Sequence, residues 1–242
     1  MANLDWLTAR PIAHRGFHDL NKTRWENTLS AFRAAIDRDY AIECDVHLSS
    51  DGVPVVFHDH DLKRLAGIDG RVFEKTATQL ADLRIGGTDD HAPTLKEMLD
   101  LVAGRVPLVI ELKGTQGEDD GLVAACAALL RAYSGPAAIM SFDHWLVRQF
   151  GTEAAGIPAG LTAHGNKPEE LEAHFSMLAH PISFVSWGVH DLPSPFVTFV
   201  RDKLSMPVIT WTVRDEKSRQ ATQAHADQMT FEGFDPDGRD TL

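Results

Sequence analysis

Cysteine is scarce in this 242-residue chain: only Cys44 and Cys126 are present. The pair fits no metal spacing and no disulfide framework, so reduced, packed thiols are expected. Basic residues are outnumbered, 23 against 35 acidic ones, giving a formal charge of −12. That field disfavours nucleic acid and anionic membrane surfaces as partners. An anionic substrate would need a local site that overcomes it, and a bound cation does that. No apolar run approaches the length of a membrane span, so stable membrane insertion is not expected. The opening "MANLDWLTARPIAHRG" lacks a basic region followed by an apolar stretch. The expectation is therefore no signal peptide and a soluble cytoplasmic protein. No linker, repeat or low-complexity segment interrupts the chain, so one domain over residues 1–242 is expected.

What is present is alternation. Short β-rich runs at 11–16, 41–48, 105–114, 137–143, 157–164, 182–188, 206–213 and 226–234 are separated by segments with helical spacing. A further run at 53–59 follows the turn "SSDG" and reads as a hairpin arm on the second strand. Residues 60–92 look polar and irregular, too long for an ordinary connection. Regular β-then-α order implies a parallel sheet. Eight units in a chain of this length predict a (β/α)8 TIM barrel with a small insertion after the second strand. A doubly wound open sheet is the alternative, but no G-x-G-x-x-G loop follows the first strand.

In such barrels chemistry sits at the C-terminal strand ends. There the chain places His14 and Arg15, then Glu43 and Asp45, then Glu111 and Lys113, with His58 ending the hairpin arm. Strand parity puts Glu43 and Asp45 on one face and Ile42, Cys44 and Val46 on the other. Two like charges turned inward are unfavourable unless one is protonated or a cation lies between them. With Glu111 they would form a hard oxygen site suited to Mg2+, Ca2+ or Mn2+ rather than Zn2+. Arg15 and Lys113 beside a divalent ion imply an anionic substrate, and phosphate suits the arginine fork. Two histidines can divide acid and base roles at phosphorus. Residue types alone thus point to metal-assisted phosphoester hydrolysis.

The blocks "AHRG" (13–16), "ENTLSAF" (26–32), "IECDVHLSSDGVPVVFHD" (42–59), "PTLKEML" (93–99), "IELKG" (110–114) and "WTV" (211–213) together resemble the glycerophosphodiester phosphodiesterase family. The resemblance implies a small phosphodiester substrate and release of glycerol 3-phosphate and an alcohol. It implies one divalent cation held by Glu43, Asp45 and Glu111, with His14 and His58 as the catalytic histidines. It makes Arg15 and Lys113 phosphate contacts, and Trp211 is taken as a further substrate contact that can stack on the glycerol or alcohol moiety. In related barrels a substrate hydroxyl attacks phosphorus first and forms a cyclic phosphate. The chain departs from the pattern near its end. Arg214 replaces the usual Asn after W-T-V, and Phe231-Glu232 follows Thr230 where a single Asp is usual. Two other readings compete. One is a phospholipase D-like lyase acting on lysophospholipids, which would need an apolar groove. The other is a phosphate-binding barrel without activity.

Simpler roles stand beside these. Asp45 and Glu43 can be explained as ion-pair partners of Arg15 and Lys113 without a metal. Glu26 is either a helix-start residue or an orienting partner of Arg15. Asp59 either holds His58 or caps the hairpin arm. His18, His60, His91, His144, His174, His180 and His225 are expected at the surface or at caps. His164 and His190 can line the mouth, and His47 has the parity of Glu43 and Asp45 without an assigned role. Phe142 and Trp187 default to barrel packing.

Overall fold

A computed structural model describes residues 4–238. The termini of the expected 1–242 domain, residues 1–3 and 239–242, lie outside the described residues. Eight parallel strands close into a barrel: β1 (Ile12–Ala13), β2 (Ala41–Leu48), β4 (Leu108–Leu112), β5 (Ala137–Ser141), β6 (Ala159–Ala163), β7 (Phe184–Gly188), β8 (Val208–Val213) and β9 (Gln228–Phe231). Closure is shown by β1, which pairs with β2 on one side and β9 on the other. The expected TIM barrel is therefore present. The hairpin arm is β3 (Pro54–Val56), antiparallel to the outer end of β2.

Helices α2 (Leu29–Asp37), α5 (Leu95–Val102), α6 (Leu122–Arg131), α7 (His144–Glu153), α8 (Pro168–Met177), α9 (Pro195–Leu204) and α10 (Glu216–His225) wrap the barrel. Their starts follow local chemistry. Thr28 accepts from the Ala31 amide to begin α2, and Thr94 with Glu97 forms a reciprocal cap on α5. The outward strand faces, including Ile42, Cys44 and Val46, pack against these helices. The inward faces form a second apolar cluster with Val109, Met140, Phe184 and Ile209. Helix α1 (Asp5–Ala9) contributes Leu7 to it and plugs the N-terminal end. Gly160 points into this interior: a Cβ there would lie 2.4 Å from the Phe184 ring.

Two expectations need correction. The first strand is only two residues long, because the chain turns at once: Gly16 N–H donates to Ala13 O (3.2 Å), and Arg15 takes a left-handed φ of 55°. Residues 60–92 are also less irregular than they look. They hold α3 (Lys63–Ala66), α4 (Ala77–Ala81) and two 3-10 turns. Leu62, Leu65, Val72, Leu80 and Ile85 turn inward and form a cluster with Val55 and Phe57. Helices of four or five residues are too short to show a hydrophobic period, so composition alone suggested a loop.

Candidate metal and phosphate site

The parallel register sets Asp45 directly beside Glu111, with Glu43 one inward position deeper on β2. Oxygens of all three carboxylates lie within 4.8 Å of one another. Glu43, Asp45 and Glu111 are only 2%, 1% and 5% exposed, so water cannot solvate their charges. Asp45 is the best compensated. Its Oδ2 accepts from Asn27 Nδ2 (2.8 Å) and lies 3.2 Å from Arg15 Nε, and its Oδ1 lies 3.0 Å from Lys113 Nζ. Lys113 also donates to Glu111. Glu43 accepts a hydrogen bond from the Arg15 backbone N–H (2.9 Å), which the tight turn after β1 aims at it.

The charges do not balance. Three buried carboxylates face two partly buried cations, Arg15 and Lys113. Burial opposes ionising Asp45, but Lys113 and Arg15 overcome that and hold it well below the ordinary carboxylate range. Glu43 goes the other way: burial, then the charges of Asp45 and Glu111, push it well above that range. Burial also raises Glu111, against the pull of Lys113. The metal-free cluster thus favours a proton on one carboxyl, and a divalent cation would satisfy the same demand. The donor set is all oxygen and closely gathered, which fits a hard cation. Ion pairing with Arg15 and Lys113 accounts for Asp45 and Glu111, whereas Glu43 forms no salt bridge with either cation.

The two predicted histidines stand over this cluster. His14 directly follows the short β1, and its Nε2 lies 4.0 Å from Glu43 Oε2. Its Nδ1 is 2.5 Å from Glu232 Oε2. His58 follows β3, with Nδ1 2.6 Å from Asp59 Oδ1. Burial is the main cause lowering the pKa of each ring. Glu26 does orient Arg15, accepting from its Nη1 (2.6 Å), and also takes a two-pronged contact from Arg64 at 2.8 Å. Burial works against ionising Glu26, yet Arg64 and Arg15 bring it down to about 2.

His14, Arg15, Glu43, Asp45, His58, Glu111, Lys113 and Trp211 all line one cavity of about 300 Å3. Its far wall is formed by Phe142, His164, His190 and Trp211, with the Phe142 and Trp211 rings edge to face at 5.1 Å. Trp187, by contrast, is wholly buried in the outer layer. His47 does not line this cavity: its Nε2 donates to His58 O (3.0 Å), so it braces the segment carrying His58. His18 and His174 are buried rather than at the surface. His174 sits against Trp187 and Phe196, and His18 lies behind Glu232. Three partners escaped the sequence reading. Arg64 lies in the insertion with nothing to mark it. Asn27 sat inside the "ENTLSAF" block without an assigned role in the site. Glu232 showed only as a departure from pattern.

Fold and site together define a (β/α)8 barrel whose C-terminal mouth gathers three carboxylates that could hold a metal ion, beside two cations and two histidines. Residues 14–238 match the model of the glycerophosphoryl diester phosphodiesterase family, and the chain belongs to that family. It is similar to a glycerophosphodiester phosphodiesterase of Caldanaerobacter subterraneus subsp. tengcongensis, 30% identical over 160 residues, or 62% of this chain and 65% of that protein. It is 34% identical over 114 residues to mouse glycerophosphodiester phosphodiesterase 1, which spans 43% of this chain and 33% of that protein. The matched stretches thus cover about two thirds and one third of those relatives. Among solved structures, a phosphodiesterase of Oleispira antarctica in complex with its product sn-glycerol-3-phosphate superposes with a TM-score of 0.80 at 23% identity, covering 95% of each chain. A glycerophosphodiester phosphodiesterase of Thermotoga maritima gives 0.71 at 25% identity, covering 92% of this chain and 94% of that one.

Proposed function

We propose that the chain hydrolyses small glycerophosphodiesters to glycerol 3-phosphate and an alcohol. The observation that carries this reading is the convergence on one cavity of the carboxylate trio, Arg15, Lys113 and both histidines. Glu43, Asp45 and Glu111 would hold one divalent cation, Mg2+ or Ca2+ and alternatively Mn2+. When bound, it supplies positive charge against the phosphoryl oxygens. Lys113 spends two of its three N–H donors on Asp45 and Glu111, which leaves one for a phosphoryl oxygen. Arg15, held by Glu26 and Asp45, offers its remaining donors to the same group. His14 and His58 both line the cavity with Nδ1 held by a carboxylate, which leaves Nε2 of each for the acid–base pair, one taking the nucleophile's proton and the other giving one to the leaving oxygen. Trp211 and Phe142 offer an apolar wall to the glycerol or alcohol carbons.

The apolar residues of the insertion turn into their own cluster, which disfavours an acyl-chain groove and so a lysophospholipid lyase. The proposed location is cytoplasmic: both thiols are free and buried, and no helix among the described residues is long and apolar enough to cross a membrane. The test is 31P NMR of purified protein with glycerophosphocholine or glycerophosphoethanolamine and added cation. Glycerol 3-phosphate as the end product supports the reading. An accumulating cyclic phosphate favours the lyase, and an unchanged substrate leaves only a binding barrel.

A further inference from the structure

We propose that Glu232 and Arg214 act as a positioning pair that fixes the tautomer of His14. The proposal deepens the reading of His14 as an acid–base group and rests on it. A carboxylate only accepts, so the 2.5 Å contact between Glu232 Oε2 and His14 Nδ1 places the ring proton on Nδ1. That leaves the Nε2 lone pair facing the cavity, beside Glu43. In that form His14 can take a proton at Nε2, which assigns it the base role; the other tautomer would offer a proton there instead.

Glu232 is itself held from several sides. Its Oε1 accepts from Arg214 Nε (2.6 Å), and its backbone N–H donates to Val213 O (3.1 Å). The ends of β8 and β9 are thus joined through both backbone and side chains. His18 adds a further contact. Its Nδ1 accepts from the Leu20 N–H (3.2 Å), so its proton lies on Nε2, 3.8 Å from Glu232 Oε2.

The other histidine is built the same way from unrelated parts. His58 Nδ1 meets Asp59 at 2.6 Å, and Arg64 grips both Asp59 oxygens at 2.7 and 2.8 Å. Each imidazole therefore has a carboxylate behind Nδ1 and an arginine behind the carboxylate. Arg214 and Glu232 are also the two places where the chain departs from the pattern of the family it resembles. The structure makes these departures one device, since each charge neutralises the other.

The test combines two readouts. 15N spectra of the imidazoles, above their titration range, locate the His14 proton without substrate, with His14→Gln used for assignment. Turnover of glycerophosphocholine gives kcat and KM. Wild-type protein is expected to carry the proton on Nδ1. Glu232→Gln, whose amide can donate instead, is expected to shift His14 toward the Nε2–H tautomer. Its kcat should fall roughly 10- to 100-fold with KM changed less than about threefold. Arg214→Gln should lower kcat by roughly 3- to 10-fold, and add nothing in the Glu232→Gln background. An Nε2–H proton on His14 in the wild type, or wild-type kcat in folded Glu232→Gln, overturns the proposal. If Glu232→Gln does not fold, Arg214→Gln at its half-exposed position decides: a partial tautomer shift with lower kcat supports the pair, and no change in either refutes it. A chain without activity on glycerophosphocholine would sink the functional reading, while the spectra would still decide the pair.

Discussion

Glu43→Gln isolates the charge imbalance at the barrel mouth. In the metal-free chain Glu43 faces Asp45 and Glu111, with the three ligand oxygens within 4.8 Å. At an effective dielectric near 20, each repulsion is worth about 3 kcal/mol. The Arg15 guanidinium offsets roughly one of the two. The Arg15 backbone hydrogen bond, about 2 kcal/mol to a charged acceptor, can pass to the Gln carbonyl oxygen at reduced strength. The balance favours the neutral amide by about 1–2 kcal/mol above neutral pH. In a chain of this size that raises the melting temperature by roughly 2–8 °C. The same substitution removes a proposed metal ligand, so the stabilisation by Mg2+, Ca2+ or Mn2+ expected of the wild type should largely disappear, and turnover with it. Differential scanning fluorimetry with and without cation reads both effects. A variant destabilised by more than about 1 kcal/mol in metal-free buffer, or one that keeps the wild-type response to cation, would refute the reasoning.

Other outcomes follow from the same geometry. His14→Ala and His58→Ala should each lower kcat by roughly 10²- to 10⁴-fold while the melting temperature stays close to wild type; undiminished turnover would remove that residue from the pair. The raised carboxyl of Glu43 contributes stability that is full below the ordinary glutamate value of 4.5 and is lost as pH rises through its folded value. Metal-free protein should therefore melt lower as pH increases through that window, and saturating cation should abolish the decline; a flat profile without cation would contradict the charge assignment. Asp45 runs opposite, since its lowered pKa contributes above the ordinary value of 3.8 and is lost only in strong acid. Gly160→Ala should cost about 1–3 kcal/mol by driving a methyl into the Phe184 ring, measured by urea denaturation.

Much of the barrel was legible because parallel strands buried on both faces read as apolar runs, and the helices between them carry a clear period. Glu43 and Asp45 stood out for the same reason: charge at inward positions of an apolar strand has few structural explanations. Partners fixed by long-range closure were not legible. Glu232 reaches His14 only because β9 pairs with β1 to shut the barrel, and no local pattern encodes that contact. Arg64 was hidden in short helices without a period, although it anchors both Glu26 and Asp59. His47 had the right parity for the cluster, but parity gives the face and not the height; the hairpin turns it to the His58 carbonyl instead. His174 looked like a surface residue because its helix is weakly patterned, yet it is packed among aromatic rings.

The account stands or falls on whether the buried carboxylate trio holds a divalent cation that phosphodiester cleavage requires. The direct measurement is glycerophosphocholine turnover by purified protein stripped with chelator, then restored with Mg2+, Ca2+ or Mn2+. The account predicts loss of glycerol 3-phosphate release on stripping and its return with at least one of these ions, but no return in Glu43→Gln. Full turnover after thorough stripping would contradict it.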